Sequence, residues 1–241
     1  MSKNDYYLSF PVQLLREEDI KVIADKAIDY GIIDYMVRNE LEGIDGFNEA
    51  CECTEITGGN YDGTRKVYDE LNNSIDKVVY VSIKKGMLFE FMKVPKTDFE
   101  IDVFRAFIGV KSIIGSKSVQ LLTNDYLVAR LSGFNSIKDA LDKPTDKFKN
   151  YYQKKYQIDK LKNALEQGYK MERYGTHTRG FYVSFKMAFK TLVKYVETTK
   201  KSAKDKAFKD KKKALILEAK QELKDGKITD AGTETETELP F

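Results

Sequence analysis

Residues 145 to 185 read TDKFKNYYQKKYQIDKLKNALEQGYKMERYGTHTRGFYVSF, and the fold turns on this stretch. Within residues 145 to 167, Phe148, Tyr152, Tyr156, Ile158, Leu161 and Leu165 recur at helical intervals, while Lys149, Lys154, Lys155, Lys160 and Lys162 decorate the rest. Apolar recurrence with cations between is the pattern of an amphipathic helix, and Gly168 stands where such a helix stops. Two β-prone runs follow, Tyr169 to Arg173 and Gly180 to Phe185, joined by Tyr174-Gly175-Thr176-His177-Thr178-Arg179. Short strand-like runs separated by a turn segment predict a hairpin. For Tyr151, Tyr152 and Tyr156, on a helix that must bury part of itself, core packing is expected ahead of base stacking.

Upstream, Thr97-Asp98-Phe99-Glu100 is a capping box: Thr97 can bond the third helical amide while Glu100 reaches back to the cap amide. The helix it opens carries Phe104, Phe107, Ile108, Lys111 and Ile114 as one buried stripe and stops at Gly115. A shorter helix opens at Thr123-Asn124-Asp125, continues through Leu127, Ala129 and Leu131, and closes at Ser132-Gly133. Phe134 to Pro144 connect it to the long helix, with Ile137 to Leu141 as a candidate small helix. Downstream, Lys186 to Val196 should be helical. The lysine-dense Thr198 to Lys213 reads either as an exposed helical extension along nucleic acid or as a solubilising arm, and Leu215 to Leu223 continue it.

The front of the chain is less marked. Phe10 to Leu15 looks extended, and Glu17 to Leu41 places Ile20, Ile23, Ala24, Ala27 and Ile28 near helical spacing, with Glu17, Glu18 and Asp19 suited to the helix dipole. Residues 43 to 63, rich in Gly, Asn, Asp and Thr, predict a loop before a helix from Thr64 to Leu71. Val78 to Ile83 is β-prone, and Lys84 to Lys93 a candidate helix.

Helix, short helix, turn, longer helix and two-stranded hairpin, in that order, resemble a winged-helix DNA-binding domain over residues 97 to 187. The resemblance rests on Leu161-Lys162-Asn163-Ala164-Leu165-Glu166-Gln167-Gly168-Tyr169 and on Arg179-Gly180-Phe181-Tyr182-Val183. It implies that Lys154, Lys155, Gln157, Asp159 and Lys160 face a duplex, with Lys149 and Lys162 among the contacts, and that Arg173, His177 and Arg179 line the wing. Phe134 to Pro144 stand where a compact helix-turn-helix has only a few turn residues. At the far end, Thr-Glu repeats precede Leu239-Pro240-Phe241, which resembles the acidic tip of bacterial and phage single-stranded DNA-binding proteins. That resemblance implies docking of Leu239, Pro240 and Phe241 into replication and repair partners.

Charge separates along the 241 residues. Residues 1 to 100 hold 12 Lys/Arg against 20 Asp/Glu, residues 143 to 213 hold 21 against 7, and residues 222 to 241 hold 2 against 6. The formal net of +3 hides an acidic front and a basic rear, a segregation that suits a polyanionic partner for the rear alone. The expected organisation is a mostly α (α+β) chain with an acidic helical region over 1–96 and a winged helix over 97–197. A lysine-rich extension over 198–224 and a disordered acidic tail over 225–241 complete it. Glycine-rich phosphate loops, zinc-ligand sets and nucleophile elbows do not occur, and His177 is the lone histidine, so neither catalysis nor a metal or other cofactor is expected. Cys51 and Cys53 are too few and too close for a disulfide framework. The polar start and the lack of a long apolar run predict a cytoplasmic protein with no membrane segment. The expected function is DNA binding in replication or related DNA metabolism, with a phage or plasmid as the expected setting and duplex favoured. Alternatives are a single-stranded DNA-binding protein, a transcription regulator and a protein-interaction module.

Overall fold

The computed structural model describes residues 6–57, 59–73, 78–152, 154–176 and 180–224; residues 177–179 and 225–241, which include His177, Arg179 and Leu239 to Phe241, lie outside the described residues. Helices make up most of the chain, with two small antiparallel sheets. Strand β1 (Tyr7–Pro11) pairs with β2 (Tyr80–Lys84), Leu8 opposite Ile83 and Phe10 opposite Val81, so that the apolar residues of both strands share the inner face. A 3-10 turn, Val12–Arg16, follows, and its first four residues are buried.

Helix α1 (Ile20–Arg38) starts at Ile20 because the Asp19 carboxylate accepts from the Lys21 amide at 2.8 Å and so caps it. The loop expected over residues 43 to 63 is instead largely helix: α2 spans Gly43–Thr54. Phe47, Ala50 and Thr54, at i, i+3 and i+7, are all buried, and that spacing prevails over a composition rich in turn formers. Lys85 secures its end, donating from Nζ to the Thr54 carbonyl at 2.8 Å. Helix α3 (Tyr61–Asn73) and helix α4 (Lys85–Met92) complete the front.

Helix α5 (Asp98–Ile114) is the central element, and the capping box at its start is formed, with Thr97 and Glu100 bonding reciprocally. Every residue from Asp102 to Val110 is buried, because β2, the 3-10 turn and later helices cover it on several sides. Leu8, Phe10, Val12, Leu14 and Leu15 therefore share one hydrophobic core with Phe104, Ala106, Ile108, Leu127 and Leu131, and that core crosses position 97.

A three-residue strand that the sequence did not announce, β3 (Gln120–Leu122), precedes helix α6 (Asn124–Leu131), which the Thr123 hydroxyl caps by accepting from the Tyr126 amide at 3.2 Å. Helix α7 (Ile137–Asp142) occupies the connection. The single helix expected over 145 to 167 is two helices, α8 (Asp146–Tyr152) and α9 (Lys155–Tyr169), with Lys154 off the helical path at φ −121° and ψ 82°. Phe148 and Tyr151 on one side of this break, and Ile158, Leu161 and Leu165 on the other, bury as two separate apolar faces, while Tyr152 and Tyr156 between them stay exposed. Gly168 lies inside α9 rather than ending it; Lys170, in the left-handed region at φ 53°, is the terminus. Tyr169 continues the helix because its ring stacks on Phe107 at 4.4 Å.

The hairpin is present as β4 (Glu172–Thr176) and β5 (Gly180–Ser184), in register Tyr174 opposite Tyr182. β3 pairs with the other edge of β5, giving the order β3-β5-β4. Gly180 permits this: at φ 141°, a Cβ there would stand 2.3 Å from the Leu122 carbonyl oxygen. Helix α10 (Phe189–Lys224) opens three residues later than the expected Lys186, since the Ser184 hydroxyl accepts from the amides of Lys186 and Met187 and holds a turn there. The chain divides into two compact units, Met1–Leu192 and Val193–Phe241, and the described part of the second, the lysine-dense stretch included, is helical to Lys224.

Candidate nucleic-acid interface

Because Ile158, Leu161 and Leu165 turn α9 inward, the opposite face must project outward. That face carries Tyr156, Lys160, Asn163 and Gln167, all exposed, at i, i+4, i+7 and i+11. Tyr156 is 80% exposed and Tyr151 only 6%, so the core packing expected of the tyrosines holds for Tyr151 but not for Tyr156. Lys154 sits exposed at the amino end of α9 and Lys155 is its first residue. Lys160 places its ammonium 4.4 Å from the centre of the Phe99 ring, and Gln157 is half-buried beside it. Lys149 is exposed on α8, 3.4 Å from the Asp146 carboxylate.

Two cations expected at the interface are committed inside the protein. Lys162 is 6% exposed; its ammonium meets the Asp159 carboxylate at 2.6 Å, donates to Asn124 Oδ1 at 3.1 Å and lies 5.0 Å from the centre of the Phe181 ring. It latches α9 to α6 and β5, and a lysine so enclosed has no charge to offer a phosphate. Arg173 donates from Nε to Glu166 Oε1 at 2.7 Å and from Nη2 to Asn163 Oδ1 at 3.0 Å, which ties β4 to α9. The i, i+3 pair Asp159 and Lys162 was visible in the sequence as the signal of such an internal bond.

A feature that the sequence reading missed lies at the other end of α9. A cleft of about 480 Å³ opens between the 3-10 turn, α5, the end of α6, α8 and the start of α9. Arg105 forms its inner wall at 1% exposure, donating from Nη1 to the Leu15 carbonyl at 3.1 Å and from Nη2 to the carbonyls of Glu17 and Glu18 at 2.6 and 2.5 Å. Among the described residues its Nε has no hydrogen-bond partner, and neither does the buried hydroxyl of Ser132, which also lines the cleft. Burial pushes the Arg105 guanidinium down from its ordinary pKa, opposed most by the charge of Asp102.

Asp102 is itself engaged, accepting from the Lys147 ammonium and from the Tyr151 hydroxyl, the latter at 2.9 Å. Burial, then the adjacent Asp102 charge, holds the Tyr151 phenol well above its usual range. Arg16, at the rim, donates from Nε to the Gly133 carbonyl at 3.2 Å and covers the Phe134 ring at 4.7 Å; burial lowers its pKa, with Asp139 acting against that shift. The signal for Arg105 was a charged residue inside the apolar run Val103 to Val110. It was overlooked because a one-sided stripe left that position facing water, whereas α5 is enclosed.

Among the described residues, no group of three or more His, Cys, Asp or Glu could hold a metal ion, and no helix is long and apolar enough to cross a membrane. Compared with known protein-family models, with curated proteins and with solved structures, the chain matches none.

Proposed function

We propose that this chain is a non-enzymatic DNA-binding protein that engages duplex through the outer face of α9 and the β4–β5 hairpin, in the manner of a winged helix, and serves DNA replication or related DNA metabolism. The observation that carries this reading is the sheet order β3-β5-β4. The strand before α6 and the hairpin after α9 join in one sheet, which fixes the hairpin beside a helix whose outer face is polar and exposed. A winged helix runs helix, strand, helix, helix and hairpin, and this chain follows that order with two further helices, α7 and α8, inserted between α6 and α9.

The cations offered to phosphates are Lys154 just before α9, Lys155 and Lys160 on α9, and Arg179, which precedes β5 in sequence and lies outside the described residues, with Asn163 and Gln167 as candidate readers of base edges. Lys162 and Arg173 are removed from the contact set, because internal bonds consume both. With about four phosphate contacts from these side chains, the logarithm of the binding constant should fall with the logarithm of salt with a slope of about −3.6. Fluorescence anisotropy of a labelled duplex, titrated over a salt series, tests this. Lys155→Glu and Arg179→Glu should each weaken binding and flatten the slope by about one. Unchanged affinity and slope in the double variant would remove α9 and the hairpin from the interface.

A further inference from the structure

We infer that the Arg105 cleft, together with the aromatic slot beside it, is a binding site for a nucleoside 5′-phosphate, either free or as an unpaired nucleotide in a strand. This rests on the nucleic-acid reading above and adjoins the proposed duplex surface, sharing Lys154, Tyr156 and Lys160 with it, while Arg16 and Arg105 belong to the cleft alone. The cleft and the slot, about 480 and 290 Å³, share Asp102, Tyr151 and Gln157 as a common wall. Together they fall in the size range of small-ligand sites, roughly 300–1,000 Å³.

The cleft is built for an anion. Arg105 is a buried cation held by three neutral carbonyls, and its Nε and the Ser132 hydroxyl are buried with no hydrogen-bond partner among the described residues. A buried charge without a carboxylate hydrogen-bonded to it is costly, and an incoming oxyanion lowers that cost. Arg16 and Lys154 stand at the rim, and among the described residues neither forms an ion pair. Of the three carboxylates that line the cleft, only Asp102 is buried, and Lys147 and Tyr151 engage it; Glu18 and Asp146 are exposed, Asp146 with Lys149 at 3.4 Å. A carboxylate ligand would satisfy the cleft alone, but the neighbouring slot selects a ligand with a flat ring. Phe99 and Tyr156 line the slot, Lys160 covers the Phe99 ring, and Gln157 offers both a donor and an acceptor to a heterocycle edge. An exposed aromatic next to cations is the arrangement that stacks an unpaired base while its phosphate is held.

The test uses the full chain, Arg16→Gln and Tyr156→Ala, both at exposed positions where folding should be retained, and three probes: thymidine, thymidine 5′-monophosphate and a single-stranded oligothymidylate. Isothermal titration should show binding of the monophosphate or the oligonucleotide, with thymidine much weaker. Arg16→Gln and Tyr156→Ala should each reduce affinity by about tenfold, as expected for loss of one charge-assisted contact or one base stack. Saturation by the monophosphate identifies a free nucleotide as ligand; binding of the oligonucleotide alone identifies a strand. Unchanged affinity in both variants, in protein that still binds duplex, would overturn this site and leave the duplex reading standing. Nucleotide binding that survives in protein with no duplex affinity would support the site and overturn the duplex reading instead.

Discussion

Arg105 shows how one side chain joins the front of the chain to its centre. Its guanidinium gathers the carbonyls of Leu15, Glu17 and Glu18, so the path from the 3-10 turn into α1 is fixed against α5. Replacing it by Met would leave these acceptors without their donor in a buried place, which costs on the order of 1–3 kcal/mol for an unsatisfied group. Arg105→Met should lower the unfolding free energy by about 3 kcal/mol with the denaturant dependence unchanged, as measured by urea unfolding. Arg105→Lys should recover only part of it, because a single ammonium cannot span the planar fork that reaches three carbonyls. A loss below about 1 kcal/mol in Arg105→Met would show that the carbonyls find other partners. Lys162 makes the complementary point: a lysine in a basic helix is not by that fact a surface cation, and only its partners Asp159 and Asn124 reveal that its charge is spent.

Among the elements, those with a local signature were legible and those defined by tertiary pairing were not. The Thr97 capping box, the Thr123 cap and the β4–β5 hairpin each have all their determinants within a few consecutive residues, and each is present. Strand β3 has only Gln120, Leu121 and Leu122 and exists because β5 lies beside it, so nothing local could announce it. The break between α8 and α9 was hidden for the opposite reason: aromatic residues at helical spacing suggested one stripe, while packing splits them into two faces. α2 was concealed by Gly, Asn and Asp that favour turns in isolation but are overridden once Phe47 and Ala50 bury. Of the site, the exposure of Lys154 and Lys160 matches the expectation, but Tyr156 was expected to bury and Asn163 and Gln167 were not expected on the outer face. The Arg105 cleft draws its residues from positions 15 to 157 and had no pattern in sequence. The sheet that sets the hairpin beside α9 depends on Gly180, where a side chain would meet the Leu122 carbonyl. Gly180→Ala should therefore destabilise the fold by about 1–3 kcal/mol, read from the thermal midpoint, while an unchanged midpoint would mean that β3 can part from β5 without cost.

At the scale of the whole molecule, charge and fold divide differently. The acidic first hundred residues supply strands and helices to the same core as α5 and α6, so the front is structural material for the unit that also carries α9 and the hairpin. Lys and Arg concentrate in residues 143–213 of the sequence, and under the DNA-binding reading proposed above that charge draws a duplex to this part of the chain before any contact forms. Amide hydrogen exchange with and without duplex DNA at low salt locates that contact most directly. Peptides covering 154–169 and 172–184 should exchange more slowly when DNA is added and regain their free rates at high salt, with α1 to α3 unchanged. Protection confined to residues 6–73, or none at α9 and the hairpin under conditions where DNA is bound, would contradict the assignment.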